Sequence, residues 1–348
     1  EIQYLTRQEL LKFQNIFKSY GSTAILMNIT NGEILSMVSL PDFDLNKREN
    51  ISDKKFINRS TKGVYELGSV FKTFTFAVGL QQNVIKKDTL FENLPKKIKC
   101  AGRSISEYDL DIPSSLTAEE ILIRSGNIGS IKIAQRVGLD NYKNFLEELD
   151  LLNKTQFDIE EVGNPIPFKW GKCKLATSAY GHGITTTPLQ LAKAYAIIAN
   201  GGYKIDPTLI KRDKILKRGD QVISEENSKK INHILRKIVT SKQGTANLAN
   251  IVGYEIGGKT GTAQKSIKGE YSKKKINTFA SIFPISDPKY VLIVLLDEPK
   301  LSETYVYNYN DGEVRKIVGT PFNTAGWTSV EVAKNIIEKI GPILAIKY

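Results

Sequence analysis

Residues 65–80 read YELGSVFKTFTFAVGL, an apolar segment with one lysine inside it. Its aromatic and aliphatic side chains are of the kind that proteins bury, and their run predicts a core helix over residues 68–82. Lys72 lies within this helix, three residues after Ser69, which itself follows Gly68. Because an unpaired buried ammonium group is costly, the sequence raises the question of what Lys72 does there.

Ser69 and Lys72 have the spacing of a serine nucleophile and a lysine base. Side chains three residues apart share one face of a helix, so Lys72 is expected one turn from Ser69 and on its side. A hydroxyl is a weak nucleophile until a neighbour removes its proton, and apolar surroundings favour the neutral amine that does so. The spacing alone is a weak signal, because it recurs where solvated surface is the better interpretation. Those other occurrences are Ser52/Lys55, Ser272/Lys275 and Ser286/Lys289.

Two further motifs follow this pair along the chain. Ser125-Gly126-Asn127 is the only S-x-N in the sequence, and Lys259-Thr260-Gly261 is the only K-[ST]-G. The second stands at the head of a segment with a strand pattern, after a helical block. The order S-x-x-K, S-x-N, K-T-G is the motif set of penicillin-binding proteins and β-lactamases, so the three together carry a signal that none carries alone.

On these motifs the chain resembles the transpeptidase domain of class B penicillin-binding proteins, from about residue 20 to 345. Similar blocks outside the motifs are GEILSMVSLPDFDLN, TSAYGHGITTTPLQLAKAYAIIANGG, GYEIGGKTGTAQK and IIEKIGPIL. The hairpin and YGHG blocks are most similar to the division-specific member, which makes septal peptidoglycan, and the elongation-specific member is the near alternative. The resemblance implies an α/β (α+β) fold like that of penicillin-binding proteins and serine β-lactamases. We expect an antiparallel five-stranded sheet flanked by helices, with an inserted all-helical subdomain.

Periodicity along the chain agrees with this architecture. Helical spacing predicts helices over 7–20 and 225–240 and a mostly helical block over about 117–200. Hairpins are predicted at Asn31-Gly32 and Asp287-Pro288, and TSVEVAKNIIEKI reads as a last amphipathic helix. Residues 298–323 have few periodic signals and are expected to form a long surface loop.

The resemblance implies a single transpeptidase domain over residues 1–348. A sheet subdomain is expected at about 1–85 and 203–348, and a helical subdomain at about 86–202. Family members also carry an N-terminal membrane anchor and a non-catalytic pedestal domain. Neither is expected in this sequence, whose longest apolar run, YVLIVLL, suits a buried strand rather than a membrane span.

The resemblance further implies a role for each motif residue. Ser69 is the acylated nucleophile, Lys72 is its general base, and Ser125 relays a proton to the leaving group. Lys259 supplies positive charge beside Ser125 and the substrate carboxylate. Asn127 is expected to bind the substrate peptide amide, and the hydroxyls of Thr260 and Thr262 are expected to bind the carboxylate. The backbone N–H groups of Ser69 and Thr262 are expected to form the oxyanion hole. Gly261 is expected to leave the strand edge open, and Tyr180 and Gly181 are expected to line the cleft.

Two positions depart from the family pattern. Leu67 stands where the family often has proline before Gly-Ser, and Gly126 stands where many relatives have Ser or Thr. The reacting groups are unchanged at both motifs, so the expected chemistry is unchanged.

The implied function is that of a serine D,D-transpeptidase, which cross-links peptidoglycan stem peptides through an acyl-enzyme on Ser69 and is trapped by β-lactams. A serine β-lactamase is an alternative that needs a group to activate water. Glu148, in EELDLLN, is one residue out of register for that task and lies in a segment that reads as an ordinary helix. The other alternative is a penicillin-sensing receptor domain that is acylated without turnover.

The composition of the chain indicates which ligands and metal sites are not expected. The net charge of +12 comes mostly from scattered lysines, and no zinc-finger or RNA-reading motif is present, so nucleic acid is not an expected partner. Cys100 and Cys173 are either two free thiols or one disulfide. With only His182 and His233 as histidines, no metal site and no cofactor are expected; His182 reads as a loop or wall residue and His233 as packed or solvated.

Location and partners come from the resemblance alone. The expected place is the periplasmic face of the inner membrane, reached through the missing N-terminal anchor. The expected ligands are D-Ala-D-Ala stem peptides and β-lactam antibiotics. The expected protein partners are a membrane glycosyltransferase and other divisome proteins.

Overall fold

The computed structural model describes residues 1–44, 46–47, 52–100, 102–212, 218–267, 270–310 and 314–347. The helices are α1 (Ile2–Ile16), α2 (Lys72–Gln81), α3 (Ala118–Ile123), α4 (Asn127–Val137), α5 (Leu139–Glu148), α6 (Lys172–Ser178), α7 (Pro188–Ala199), α8 (Glu225–Thr240) and α9 (Ser329–Lys347). The strands are β1 (Gly21–Asn28), β2 (Ile34–Leu40), β3 (Leu90–Phe91), β4 (Lys97–Cys100), β5 (Arg103–Ser106), β6 (Leu116–Thr117), β7 (Gly257–Ile267), β8 (Glu270–Phe283), β9 (Tyr290–Asp297), β10 (Val306–Asn310) and β11 (Val314–Val318).

The central sheet joins both ends of the chain. In the described residues it has five strands in the order β2-β1-β9-β8-β7, and each neighbouring pair is antiparallel. The hairpin predicted at Asn31-Gly32 connects β1 to β2, and Gly32 takes a φ of 82° there. The hairpin predicted at Asp287-Pro288 connects β8 to β9. The predicted antiparallel five-stranded sheet is therefore confirmed, and β7 forms one of its edges.

Helices cover the sheet as the burial of its middle strands requires. Every residue of β1 and β9 is buried, which means that both faces of these strands are covered. The terminal helices α1 and α9 pack on each other and on the sheet, and α7 and α8 pack on it as a second group. The segment α2 contacts α4, α5 and α8, so the helix predicted from its apolar residues lies in the core between the sheet helices and the inserted region.

The first helix differs from its predicted limits of 7–20. It spans Ile2–Ile16, because its buried stripe of Ile2, Thr6, Leu10 and Phe13 begins earlier than the leucines suggested. It ends before the predicted limit because the chain turns at Lys18, with a φ of 44°, to enter β1. The helix predicted over 225–240 is confirmed as α8.

The inserted region is not all helical. Its helices begin as predicted, with a capping box formed by Thr117 and Glu120 at α3. It also contains the short pairs β3–β6 and β4–β5. The β4–β5 hairpin has a period-two pattern, KIKC and RSIS, with Ile98 opposite Ile105 and Gly102 at a φ of 76° between them. This alternation of apolar and polar residues is typical of a strand pair. It is short, and the helical periodicity of the neighbouring segments is the stronger signal in the sequence.

The prediction of a long surface loop over residues 298–323 is also wrong in part. The strands β10 and β11 form an antiparallel hairpin within it, and residues 311–313 lie outside the described residues. Tyr307 is fully buried, and its ring meets Tyr305 and Trp327 edge to face at centroid distances of 4.8 and 5.3 Å. Burial of these rings stabilises the hairpin, although its strands are short and alternate with polar residues.

Two further structural facts bear on the sequence analysis. Cys100 and Cys173 form a disulfide, which joins the end of β4 to α6 and decides between the two alternatives left open. Among the described residues, none of the helices combines the length and the apolar character needed to cross a bilayer.

Candidate active site

Ser69 lies on a tight turn that leads into the core helix. Residues Gly68–Phe71 form one 3₁₀ turn, and α2 begins directly after it at Lys72. Gly68 has a φ of 62°, which a residue with a side chain rarely adopts. Ser69 is partly exposed, whereas only 1% of Lys72 is exposed. The turn therefore presents the hydroxyl to a cleft and keeps the lysine behind it.

Two segments approach this turn so closely that glycine is required where they meet it. A Cβ on Gly261 would lie 2.1 Å from the carbonyl oxygen of Leu67, and one on Gly181 would lie 2.0 Å from that of Gly68. A Cβ on Gly68 would lie 3.0 Å from the carbonyl oxygen of Thr262. Gly261 thus makes room for the protein's own backbone, and its expected role in leaving the strand edge open for a peptide stays a prediction. The glycines hold the K-T-G strand β7 and the Tyr180–Gly183 loop against the turn that carries Ser69.

Ser125 occupies a strained position at the end of α3. The N–H of Ser125 donates to the carbonyl of Leu122, and the N–H of Gly126 donates to that of Ile121. These two bonds form a Schellman motif, in which the residue at the Ser125 position is usually glycine in the left-handed region. Ser125 takes that conformation, with a φ of 60°. Non-glycine residues in such conformations concentrate at functional sites, where surrounding contacts hold them in place.

The three motifs meet in one polar network. The Nζ of Lys72 donates to the backbone carbonyl of Ser125, to the Ser125 Oγ at 3.2 Å and to the Oδ1 of Asn127 at 2.7 Å. The Nζ of Lys259 lies 2.8 Å from the same Ser125 Oγ and 3.2 Å from the carbonyl of Thr260. One hydroxyl therefore connects both motif lysines.

Burial sets the electrostatics of these lysines. Loss of solvent lowers the pKa of Lys72 to about 7, against the opposing effect of the Glu107 charge. Burial and then the charge of Lys72 hold the pKa of Lys259 well below its usual range. Near neutral pH, the pair therefore includes an amine that accepts a proton readily, which is what a general base requires.

The hydroxyls of the K-T-G strand have partners from outside the motif. Thr260 Oγ1 lies 2.6 Å from Thr245 Oγ1, and Thr262 Oγ1 accepts a hydrogen bond from the N–H of Ala325 at 2.9 Å. As an acceptor in that bond, the Thr262 hydroxyl keeps its own hydrogen for a ligand. These contacts fix both hydroxyls at the wall of the cleft.

The cleft encloses about 900 Å³ and is lined by most of the predicted site residues. That volume suits a ligand of small-peptide size. The predicted residues that line it are Ser69, Ser125, Asn127, Tyr180, Gly181, Thr260 and Thr262. Lys72, Lys259 and Gly261 lie directly behind this wall, so the fold brings all ten predicted residues together.

A stack of rings forms one side of the cleft. His182 lies between Tyr180 and Tyr271, with centroid distances of 5.8 and 4.5 Å. Glu66 accepts hydrogen bonds from the N–H of Gly183 at 2.8 Å and from the Tyr271 hydroxyl at 3.0 Å. Burial and the Glu66 charge raise the pKa of Tyr180 to about 12. The expectation that His182 is a wall residue is confirmed.

Sequence reasoning missed Glu107 and Thr245. Only 7% of Glu107 is exposed, and its carboxylate accepts the N–H groups of Asn127 and Ile128. Glu107 and Thr245 are separated along the sequence from the motif residues that they contact, by 20 and 15 positions. The residues around each of them form no recognisable sequence motif. For Glu107 the one available signal was its place directly after the alternating β4–β5 hairpin.

Glu148, the acid considered for a β-lactamase, is not among the described residues that line the cleft. Glu148 ends α5, as its helical segment predicted, and forms an ion pair with Lys204. Glu107, which does line the cleft, has both carboxylate oxygens occupied by backbone N–H groups.

His233 is exposed on α8. Within the part of the chain that is described, no cluster of His, Cys, Asp and Glu could hold a metal ion.

Comparison with known proteins gives a consistent picture. The penicillin binding protein transpeptidase domain model matches residues 22–322. A probable peptidoglycan D,D-transpeptidase FtsI of Caulobacter vibrioides is 32% identical over 99% of this chain and 58% of its own length. The stage V sporulation protein D of Bacillus subtilis is 32% identical over 86% of this chain and 49% of its own length. This chain thus spans about half the length of the curated relatives that it matches.

The architecture also matches a solved structure. The apo TP domain of Burkholderia pseudomallei penicillin-binding protein 3 superposes with a TM-score of 0.83 and is 26% identical. The match covers 99% of this chain and 95% of that one.

Proposed function

The chain belongs to the penicillin-binding protein transpeptidase family, and we propose that it is a serine D,D-transpeptidase that cross-links peptidoglycan stem peptides. The observation that carries the proposal is the Ser125 hydroxyl, which contacts the buried amines of Lys72 and Lys259 in the cleft that exposes Ser69. A network of this kind can move a proton from a nucleophile to a leaving group.

The first step forms the acyl-enzyme. The Oγ of Ser69 attacks the carbonyl carbon of the penultimate D-Ala while the neutral amine of Lys72 takes its proton. The backbone N–H groups of Ser69 and Thr262 receive the developing oxyanion. The C–N bond to the terminal D-Ala then breaks. Its nitrogen takes a proton from the Ser125 hydroxyl, which regains one from a protonated lysine.

The second step closes the cross-link. An amine of a neighbouring stem peptide attacks the ester carbonyl on Ser69, and the same groups act in the reverse direction. The amine loses a proton to the Ser125–Lys72 network as the new amide bond forms. The ester C–O bond breaks, and the Ser69 oxygen regains its proton. The products are the cross-linked peptide and the free enzyme.

Binding requires groups that recognise the D-Ala-D-Ala end. We assign the terminal carboxylate to the hydroxyls of Thr260 and Thr262, beside the positive charge of Lys259. The Nδ2 of Asn127 donates one hydrogen to the carbonyl of Ser106, at 2.9 Å, and keeps a second hydrogen for the peptide amide. The ring stack of Tyr180 and His182 borders the same space.

The biological setting is part of the proposal. Similarity to an FtsI protein supports a role in septal wall synthesis at the periplasmic face of the inner membrane, and an elongation-specific transpeptidase is the alternative. A membrane glycosyltransferase and other divisome proteins are the proposed partners. We also propose the division into a sheet subdomain (about 1–85 and 203–348) and a mostly helical subdomain (about 86–202) that includes two short strand pairs.

Intact-protein mass spectrometry with benzylpenicillin tests the activity. We expect a mass increase equal to one penicillin on the wild-type chain, mapped to the peptide containing Ser69, and no adduct on Ser69→Ala. An unmodified wild-type chain, or an equal adduct on Ser69→Ala, would refute the proposal. A synthetic stem peptide with an added D-amino acid acceptor then separates a transpeptidase, which exchanges the terminal D-Ala, from a receptor domain, which does not.

The lifetime of the penicillin adduct distinguishes a transpeptidase from a β-lactamase. Glu148 is in an ion pair and Glu107 accepts two backbone N–H groups, so neither acid is free to activate water, and we expect the adduct to persist for many minutes. Rapid hydrolysis of nitrocefin with no detectable adduct would favour the β-lactamase instead.

A further inference from the structure

Glu107 is a buried carboxylate that contacts the S-x-N motif and belongs to none of the three motifs. It follows β5, and its two oxygens accept the N–H groups of Asn127 at 2.6 Å and Ile128 at 2.8 Å. These are the first two residues of α4, whose backbone N–H groups have no partners inside the helix. Sequence separations of 20 and 21 residues make this a tertiary contact and not a local helix cap.

The neighbouring residue holds the same asparagine from another direction. The carbonyl of Ser106 accepts the Nδ2 of Asn127, which leaves the Oδ1 facing Lys72. Asn127 is therefore held at its backbone by Glu107 and at its side chain by Ser106, and its remaining acceptor receives the Lys72 amine. In this arrangement the direction of the amide is determined, because a flipped amide would place its oxygen against the Ser106 carbonyl.

We propose that Glu107 is a positioning residue for acylation, which fixes Asn127 and, through its Oδ1, the amine of Lys72 relative to Ser69. The inference rests on the proposed function. Both carboxylate oxygens of Glu107 are bonded to backbone N–H groups, so Glu107 acts on the backbone of Asn127 and, by its charge, on the amine that Asn127 holds.

A purely structural role would have different consequences. If Glu107 only stabilised α4, its loss would lower the free energy of unfolding and leave the rate of acylation per folded molecule unchanged. A positioning residue changes that rate, because small displacements of reacting groups lower rates by up to about 100-fold.

The test compares Glu107→Gln and Glu107→Asp with Glu92→Gln, an exposed acid of the same region. The measurement is the second-order rate constant for acylation by a fluorescent penicillin. Gln keeps the shape of Glu107 but offers one acceptor for two N–H groups, and we expect a 10- to 100-fold slower reaction. Asp retains the charge but is shorter, and we expect an intermediate loss. We expect no change for Glu92→Gln.

The pH dependence gives a second readout. In the described part of the chain, the charged groups that interact with the Lys72 amine are Glu107 and Lys259. Because the negative charge of Glu107 stabilises protonated Lys72, the rising limb of the rate profile should move to lower pH in Glu107→Gln and stay in place in Glu107→Asp. Acylation rates equal to that of Glu92→Gln would overturn the proposal. If Glu107→Gln does not fold, the rate of Glu107→Asp decides alone.

Hydrogen exchange separates this proposal from the proposed function. In wild type we expect slow exchange at the amides of Asn127 and Ile128, and faster exchange in Glu107→Gln, whether or not the chain reacts with penicillin. A wild-type chain that shows this protection but forms no adduct refutes the transpeptidase and leaves the contact intact. Unprotected amides in a chain that is acylated normally refute the role of Glu107.

Discussion

The side-chain nitrogens of Lys72 and Lys259 both contact one oxygen, the Ser125 hydroxyl, at 3.2 and 2.8 Å. Two ammonium groups that share one acceptor repel each other, and both are buried. Their proximity therefore favours a state in which one of them is neutral. In the proposed complex, a substrate carboxylate beside Lys259 would favour the charged form of that lysine. Lys72 would then be the neutral amine that accepts a proton, so a single arrangement could supply a base and a positive charge.

Acylation should depend on pH through Lys72. Its pKa is lowered to about 7 by burial, so the amine is protonated below that pH and free to accept the Ser69 proton above it. We expect the rate constant for reaction with a fluorescent penicillin to rise between pH 6 and 8, with a midpoint of roughly 7. Circular dichroism over the same range provides the control for folding. A rate that is constant or falls across this range would contradict the role of Lys72.

The protein should be more stable with glycine at position 125 than with alanine there. Both Ser125→Gly and Ser125→Ala remove the hydroxyl and should slow acylation, but only glycine takes the φ of 60° without strain. We expect Ser125→Gly to exceed Ser125→Ala in the free energy of unfolding by about 1 kcal/mol, measured by urea titration. Ser130, inside α4, is the control, because alanine should be the more stable variant there. The same order at both positions would contradict the strain at Ser125.

Gly261→Ala should damage both stability and acylation. The added Cβ would lie 2.1 Å from the Leu67 carbonyl oxygen, so β7 must move away from the turn that carries Ser69. We expect a loss of about 1–3 kcal/mol in the free energy of unfolding and slower reaction with penicillin. The control is Gly171→Ala, where the backbone is extended and a Cβ would meet nothing within 4 Å. Equal behaviour of the two variants would show that the close approach is not needed.

Reduction of the disulfide should lower the unfolding temperature. Cys100 and Cys173 are separated by 73 residues, and removal of such a link typically costs about 2–5 kcal/mol. The linked hairpin leads into Ser106 and Glu107, so we also expect slower acylation in the double variant Cys100→Ser/Cys173→Ser. Thermal scans with and without reductant test this, and the double variant should not respond to reductant. A wild-type chain with two titratable thiols under oxidising conditions would contradict the link.

Local spacing predicted much of the fold. The alternation around Asn31-Gly32, the capping box at Thr117 and the apolar residues around Lys72 each identified an element that the structure contains. The errors occurred where short strands interrupt helical periodicity, as in the β4–β5 hairpin, or where burial of aromatic rings orders a segment with a polar pattern, as at Tyr307.

Candidate site residues were identified by order and type alone. The three motifs named the groups that meet in the cleft, but they did not show that Asn127 receives the Lys72 amine or that Ser125 is strained. They also gave no sign of Glu107 and assigned Gly261 a different reason for being glycine.

The sequence by itself determined which reactive groups the chain possesses, and it placed Ser69 one helical turn from Lys72. Only the tertiary structure decided that the Lys72 amine is buried against Ser125 and Asn127, 53 and 55 residues away, and that Lys259 joins them across 134. Periodicity reports neighbours within one turn or one strand pair. Contacts over such separations, and the low pKa that burial imposes on Lys72, exist only when the whole core is packed.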